Sequence, residues 1–185
     1  MDLIETSTGR VLPCYLAASL EYEGEIFAAL YPADAPVSLA QSVDGKLVPV
    51  EDDLETPELL AAATSACASN DIVLHETPVV LTASGPGLDE VEKAADALES
   101  EGGDGLFDDD GEEVLVLAEG QIDSEPFAVV QTLDPLYVVG KQLDERRFAV
   151  PTDAEIEAVG DTIEQLVIEF EEAFDQDDDD DEFGP

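Results

Sequence analysis

The 185-residue chain contains an acidic run whose carboxylates could bind a metal ion. The segment Asp108-Asp109-Asp110-Gly111 resembles part of a calcium-binding loop, in which carboxylate oxygens surround the ion. With Gly111 at the sixth position, however, Leu106 and Leu117 fall at the first and twelfth positions, where such a loop needs carboxylates. An acidic hairpin turn is therefore the better interpretation of this run.

Other candidate catalytic and binding groups are equally incomplete. His75 is the only histidine, so it cannot form a site with two His ligands, and we interpret it as a packed or edge histidine in a strand. The pair Gly85-x-Gly87 lacks the third glycine of a dinucleotide fingerprint, and there is no Gly-Lys-Ser/Thr phosphate loop. We therefore predict no catalytic, cofactor-binding or metal-binding residues, no cofactor and no enzymatic activity.

The charge balance narrows the class of partner. The chain has 47 Asp and Glu residues against six Lys and Arg residues, a net charge of −41, while 44% of its residues are hydrophobic. So few basic residues argue against contacts to nucleic-acid phosphates and to anionic membrane surfaces. The hydrophobic fraction argues against wholesale disorder. We expect a basic protein surface as partner, no direct nucleic-acid binding and no membrane binding, and the sequence leaves the oligomeric state open.

The acidic residues are concentrated in two segments. Residues 84–113 contain twelve of them and residues 169–185 contain ten. An even distribution of acidic residues would be typical of a surface adapted to high salt or selected for solubility. The clustering makes such an adaptation the weaker explanation of the charge, although it stays an alternative.

The cysteines and the N-terminal residues bear on the compartment. Cys14 and Cys67 are far apart and form no C-x-x-C pair, which predicts two buried free thiols. The first residues lack the basic and apolar regions of a secretory signal, and there is no apolar run of membrane-spanning length. We expect a cytoplasmic location, or the equivalent plastid stroma.

An internal repeat appears at a fixed offset of 100 residues. Residues 23–30 and 123–130 share their pattern of acids, a turn and an apolar run around Phe27 and Phe127. The same offset relates Asp34 to Asp134 and continues into a helical segment. Each copy reads as two β-prone runs around a polar turn, an Asp and Pro break, two further short strands and a helix.

The helices have clear start signals and apolar faces. Thr152 and Glu155 form a capping box, followed by an apolar stripe at helical spacing. In the first copy Asp52 and Glu55 take the capping positions, and Pro57 lies in the first turn. We predict an α+β fold: a tandem duplication of a small antiparallel β-meander closed by a helix, with an acidic insert and an acidic C-terminal tail.

The predicted organisation has four parts. Residues 1–83 form the first meander and helix with a following strand, and residues 106–174 form the second repeat. Residues 84–105 are either a short helix or a mostly disordered acidic linker, two alternatives that the sequence leaves open. Residues 175–185 are predicted to be a disordered acidic tail.

The pattern Gly9 … Leu12-Pro13-Cys14 … Phe27-Ala28-x-Leu30-Tyr31-Pro32-x-Asp34-x-Pro36, with Asp134-Pro135-Leu136 in the second copy, resembles the uncharacterised family DUF3727 of cyanobacteria and plastids. Each copy separately resembles the smaller bacterial family DUF1292. The resemblance implies a photosynthetic lineage and no established activity. Gln131-Thr132 replaces Tyr31-Pro32 in the second copy, so a function of that dipeptide would belong to the first copy alone.

The leading functional hypothesis is a non-enzymatic binding, assembly or regulatory protein that engages a basic protein surface. One alternative is a nucleic-acid mimic that acts on a nuclease, a polymerase or a ribosomal component. Others are a carboxylate-based metal-binding or hydrolytic module, and acidity that serves only solubility or salt adaptation. The candidate partner-binding residues are Tyr31, Pro32, Asp34 and Asp134.

Overall fold

The computed structural model describes residues 1–43, 46–50, 57–100, 106–107, 113–122, 124–132 and 134–178. In chain order its elements are β1 (Asp2–Ile4), β2 (Val11–Tyr22), β3 (Glu25–Pro32), β4 (Ala35–Val43), β5 (Lys46–Pro49), α1 (Pro57–Ala68), β6 (Val73–Glu76), β7 (Leu81–Ser84), α2 (Pro86–Ser100), β8 (Leu106–Phe107), β9 (Glu113–Ile122), β10 (Glu125–Thr132), β11 (Val138–Gln142), β12 (Arg147–Ala149) and α3 (Asp153–Asp178). Strands predominate over helices, which confirms the α+β class.

These elements form two compact units. The first unit comprises Met1–Ala33 and Tyr137–Pro185, and the second comprises Asp34–Leu136. The first is thus made from both ends of the chain and the second from its continuous middle. The repeats predicted at residues 1–83 and 106–174 are a different division, made along the sequence, and they stay a prediction.

The first unit is a closed five-stranded barrel in the order β1-β12-β11-β3-β2. β1 and β12 run parallel, and the other neighbours are antiparallel. A Cβ on Gly140 would lie 2.7 Å from Leu30 Cδ1 and 2.9 Å from Phe148 Cβ, so only glycine fits where β11 crosses these side chains. Closure of the sheet leaves the barrel without open edges.

Helix α3 covers the side of the barrel formed by β2 and β3. Its capping box forms as predicted: the Thr152 backbone N–H donates to Glu155 Oε2 at 2.8 Å, and the Glu155 N–H donates to Thr152 Oγ1 at 3.4 Å. Val159, Ile163 and Val167 are buried against a cluster that includes Phe27 and Ala29. Ile156, in the first turn of this helix, is 38% exposed and does not belong to the buried face.

The second unit is a sheet in the order β6-β7-β4-β10-β9-β8, with β5 paired to β4. Helix α1 begins at Pro57, as predicted. The helical spacing predicts an apolar face of Leu59, Leu60, Ala63, Ala66 and Cys67, and all of these are buried except Ala66, which is partly buried. They pack with apolar residues of β4, β7, β9 and β10 in one cluster.

The segment at residues 84–105, for which the sequence left a short helix and a disordered linker open, contains the helix α2. Gly85 has φ of +116°, and a Cβ there would lie 2.7 Å from the Asp71 carbonyl oxygen. A Cβ on Gly87 would collide with the Asn70 carbonyl group, and the Gly87 N–H donates to the Asp71 carbonyl at 3.2 Å. The glycine pair therefore permits the close approach of this helix start to the turn after α1.

The strands do not form one meander per repeat. In the described part of the chain, β3 pairs with β2 and β11, while β4 pairs with β5, β7 and β10. The meander is wrong at this step because the connection from β3 to β4 contains no residue with positive φ and leads into Pro36, so it does not reverse the chain.

The ladders of the two units share their register at the 100-residue offset. The corresponding pairs are Phe27–Lys141 with Phe127–Gln41, Ala28–Gly140 with Ala128–Ala40, Ala29–Val139 with Val129–Leu39, and Leu30–Val138 with Val130–Ser38. The hairpins share a bulge as well, since the pairing skips Ala17 in β2 and Leu117 in β9. The Asn70 side-chain amide donates to the Leu117 carbonyl at 3.1 Å and so satisfies the bulged residue.

Helix α3 continues to Asp178, four residues beyond the predicted end of the second repeat, because the apolar stripe gives way to acidic residues without a helix-breaking residue. Residues 179–185 of the predicted tail lie outside the described residues. So do the predicted capping residues Asp52 and Glu55 and the acidic turn at residues 108–111.

Candidate functional site

The outer surface of the barrel exposes a patch that we call the tyrosine face, formed by Asp2, Val11, Pro13, Tyr15 and Tyr31. Because side chains alternate along β2, Leu12 and Cys14 are buried while their neighbours point outward. Tyr15 is 63% exposed, Val11 44% and Tyr31 40%.

The strand register makes this face continuous. Pro13 lies opposite Asp2, and Tyr15 lies opposite Tyr31. Residues opposite each other in neighbouring strands have their side chains on the same side of the sheet, about 5 Å apart. A patch with two exposed tyrosines and a carboxylate has the composition of a protein-binding surface, because tyrosine is enriched in the central residues of interfaces.

A third tyrosine anchors the face. The ring of Tyr137 lies 6.0 Å from that of Tyr31, tilted by 51°. Burial raises the pKa of the Tyr137 phenol, and a hydrogen bond to the Glu171 carboxylate on α3 raises it further. The phenol therefore remains a hydrogen-bond donor to α3 and holds its ring beside Tyr31.

The four candidate partner-binding residues do not share one unit. Tyr31 and Pro32 belong to the first unit, while Asp34 and Asp134 belong to the second. The side chain of Pro32 is buried, that of Asp34 is half-buried and that of Asp134 is exposed. Tyr31 is thus the member of the set that lies in the tyrosine face.

Lys141 is held in a cluster of carboxylates on the first unit. Its Nζ lies 2.6 Å from Glu25 Oε2 and 2.7 Å from Glu155 Oε1, and it sits 5.8 Å from the centre of the Phe27 ring. The hydrogen bond from Lys141, aided by those from Thr152, lowers the pKa of Glu155 to about 2. The same contact raises the pKa of Lys141. The cluster ties β3 and β11 to the start of α3 and so stabilises the attachment of the helix to the barrel.

Arg147 is neutralised in a similar way. Its Nε donates to Asp144 Oδ2 at 2.7 Å within the turn between β11 and β12. This hydrogen bond holds the pKa of Asp144 below its usual value. Lys141 and Arg147 are thus both paired with carboxylates of this chain.

His75 forms the nearest approach to a catalytic pair. Its Nε2 lies 2.8 Å from Ser84 Oγ, across the two strands β6 and β7. Acyl transfer also needs backbone donors for the developing oxyanion. Pro86 has no N–H, and the amides of Gly87 and Leu88 already donate to the carbonyls of Asp71 and Gly85. The three positions that follow Ser84 and Gly85 therefore supply no free backbone N–H, and the pair forms a hydrogen bond between the two strands.

A cavity of about 360 Å³ lies on the second unit beside Phe127. Its lining is Leu47, Glu119, Gly120, Gln121, Pro126, Phe127 and Ala128. Glu119 is the single ionisable group in this lining, which gives little chemistry to a ligand. Within the described residues, no three His, Cys, Asp or Glu side chains are placed to hold a metal ion.

Both cysteines are buried free thiols, as the sequence predicted. Burial raises the pKa of Cys14 to about 11 and also raises that of Cys67. Because the thiolate is the reactive form, neither side chain is a nucleophile near neutral pH.

Comparison with known proteins gives a family and no activity. Among the described residues, no helix has the length and apolar character to cross a bilayer. No curated protein and no solved structure is detectably similar to this chain. The family described as "Protein of unknown function (DUF3727)" matches residues 71–170, more than half of the sequence. The resemblance to that family is therefore confirmed, and the chain belongs to the DUF3727 family.

Proposed function

We propose that the protein is a non-enzymatic binding or assembly protein that engages a basic protein surface. The observation that supports this most directly is the net charge of −41, which remains because six basic residues offset few of the 47 acidic ones. Lys141 and Arg147 are engaged by carboxylates of the chain itself. The surplus of carboxylates attracts basic proteins and repels nucleic acids and anionic membranes.

The tyrosine face is the surface on which we place the first contact. Exposed Tyr15 and Tyr31 supply large, rigid contact area with a polar end, and Asp2 supplies a carboxylate beside Pro13. Arginine side chains of a partner stack on such rings and pair with such carboxylates. The long-range charge would bring a basic partner to the molecule, and the tyrosines would fix where it binds.

The experiment is affinity capture from lysate with the full chain at low and moderate salt, beside the double variant Tyr15→Ser/Tyr31→Ser. Tyr22→Ser is the matched control, because Tyr22 lies at the far end of β2 with the same 40% exposure as Tyr31. We expect basic proteins whose capture falls with salt and is lost in the double variant alone. Capture of no basic protein, or capture insensitive to salt, would contradict the proposal.

A competition measurement separates this function from nucleic-acid mimicry. RNA or DNA that displaces the captured partner would indicate that the carboxylates occupy a phosphate-binding surface of that partner. If nucleic acid does not displace the partner, mimicry is excluded, and binding to a basic surface that does not bind nucleic acid is supported.

We also infer that the chain arose by tandem duplication of a unit similar to DUF1292, in a photosynthetic lineage, and acts in the cytosol or stroma. The shared register of the two long-range ladders and the shared position of the bulges support the duplication. Fractionation of cells that express the full chain would test the location, and recovery with membranes would contradict it.

A further inference from the structure

Each unit contains elements from both halves of the sequence. In the first unit the hairpin β2–β3 comes from the first half, while β11, β12 and α3 come from the second. In the second unit the hairpin β9–β10 comes from the second half, while β4, β5 and α1 come from the first. The hairpin of each half is thus completed by strands and a helix of the other half.

The helices follow the same rule as the strands. α3 packs on the hairpin β2–β3, and α1 packs on the hairpin β9–β10. The residues of these two clusters correspond at the 100-residue offset: Ala17 with Leu117, Ala18 with Ala118, Phe27 with Phe127, Ala29 with Val129, Tyr137 with Val37, Val139 with Leu39, Val159 with Leu59, Ile163 with Ala63, and Val167 with Cys67. The two cores thus use corresponding positions of the repeat. One combines the hairpin of the first half with the helix of the second half, and the other combines the hairpin of the second half with the helix of the first half.

The local backbone gives a reason for this arrangement. The turn of the first hairpin has positive φ at Glu23 (53°) and Gly24 (84°), the conformation that brings a two-residue turn back along its own strand. Ala33 and Asp34 also separate two strands by two residues, yet neither has positive φ. A connection of this kind carries the chain away from β3, and short connections that cannot turn back favour exchange of segments.

We propose that the two repeats of the chain have exchanged their third strand and helix. The open edge of each hairpin is then a binding surface for the third strand and helix of the other repeat. The partner of each repeat surface is therefore another copy of the same repeat, supplied by the same chain. This inference rests on the duplication proposed above and is independent of any external partner.

The proposal predicts which residues can be joined by a disulfide. Residues opposite each other in antiparallel strands have Cα atoms about 4.5 to 5.5 Å apart, within the range that a disulfide spans. Leu30 lies opposite Val138 of the other repeat, whereas pairing within one repeat would place it opposite Ser38. The variants L30C/V138C and L30C/S38C therefore differ only in the partner offered to one cysteine.

The experiment uses the full chain with Cys14→Ser and Cys67→Ala as background and a protease site inserted between Gly102 and Gly103. After oxidation and cleavage, we expect L30C/V138C to run as one covalent species on a denaturing, non-reducing gel. We expect L30C/S38C to separate into two fragments and to keep both thiols reactive toward an alkylating reagent, because Leu30 does not lie opposite Ser38. The reciprocal pair S38C/V130C, which lies in the second unit, is expected to join the fragments as well.

Loss of the reactivity of both thiols of oxidised L30C/S38C toward the alkylating reagent, or failure of both exchanged pairs to link in protein with native circular dichroism, overturns the proposal. The chain cleaved at the same site without any cysteine substitution gives a second measurement that no core substitution can disturb. Its two fragments are expected to co-elute in gel filtration and to separate only in denaturant. Separation into two folded fragments under native conditions also overturns the exchange, and none of these outcomes depends on capture of a basic partner.

Discussion

Glu155 combines two tasks that are usually given to different residues. Its carboxylate accepts the Thr152 N–H at the start of α3 and also binds Lys141, which in turn binds Glu25 on the neighbouring strand. Helix capping and attachment of the helix to the barrel therefore depend on one ionised group. The contribution of the carboxylate charge can therefore be measured by changing the pH, because protonation removes the charge of Glu155.

The pH dependence of Glu155 follows from its lowered pKa. The folded value of about 2 lies below the ordinary value of 4.5, so ionised Glu155 stabilises the fold above about pH 4.5 and this contribution is lost as pH falls toward 2. Glu155→Gln keeps the capping geometry and removes the charge. We expect the urea midpoint of this variant to lie below that of the natural protein at pH 6 and to approach it at pH 2.5.

The control for this prediction is Glu157→Gln, an exposed glutamate two residues along the same helix. Its midpoint should differ little from that of the natural protein at either pH. A difference for Glu155→Gln that stays constant from pH 6 to pH 2.5 would show that its charge does not act through Lys141.

Two glycines offer a matched comparison at the same scale. A Cβ on Gly120 would lie 2.7 Å from Phe127 Cε1, whereas a Cβ on Gly160 in α3 would meet no atom within 4 Å. Gly120→Ala should lower the free energy of unfolding by about 1–3 kcal/mol through overpacking. Gly160→Ala should raise it by about 0.5–1 kcal/mol, since alanine favours the helix. Denaturant unfolding of both variants checks this, and equal effects would contradict the packing around Phe127.

At the scale of elements, α3 is stabilised on one face only. Ile163 is buried against the barrel, while Ile168 on the same helix is 49% exposed. Ile163→Ala should reduce the free energy of unfolding by about 2–5 kcal/mol because it leaves a cavity. Ile168→Ala should change it by about 0.5 kcal/mol or less. A large loss for Ile168→Ala, measured by denaturant unfolding, would indicate that the opposite face of the helix is covered.

The sequence predicted the elements well and their pairing poorly, and the reason is physical. Apolar periodicity, the Thr152–Glu155 capping box and the Pro57 helix start are local signals, and the structure contains each of them. The choice of β11 as the partner of β3 depends on contacts between residues more than a hundred positions apart. Each strand offers consecutive apolar residues to a ladder, Leu39 and Ala40 in β4 and Val138 and Val139 in β11, so hydrophobicity alone does not distinguish the two possible partners.

The candidate site was predictable in part. Tyr31 was selected from a sequence motif, and alternation along β2 would also have pointed to Tyr15, since Leu12 and Cys14 face inward. Tyr137 had no such signal, because it reaches Tyr31 through strand pairing across the two halves of the chain. Pro32 followed Tyr31 in the motif, but its side chain points into the protein.

For the whole molecule, charge repulsion is the term that solution conditions control most easily. At a net charge of −41, screening by salt reduces self-repulsion in the folded state, since the Debye length falls from roughly 30 Å at 0.01 M to about 8 Å at 0.15 M. We expect the thermal midpoint at pH 7 to rise over this range of sodium chloride. Deletion of residues 179–185, which contain four acidic residues, should make the rise smaller.

Differential scanning calorimetry of the full chain and the shortened chain would measure both effects. A midpoint that falls with salt would mean that ion pairs such as Lys141 with Glu25 contribute more than the repulsion does. Sodium sulfate at matched ionic strength is not an adequate substitute, because sulfate also strengthens apolar burial.

The pairing of β3 with β11 has a consequence for synthesis on the ribosome. The hairpin β2–β3 emerges early, but the strand that completes its ladder begins at Val138, more than a hundred residues later. At about 5–20 residues per second, that edge stays open for roughly 5–20 s. The sheet of the middle unit also waits for its partner strand β10, which ends at Thr132, shortly before Val138. For most of that interval the nascent protein would therefore carry unpaired β-edges, to which chaperones can bind.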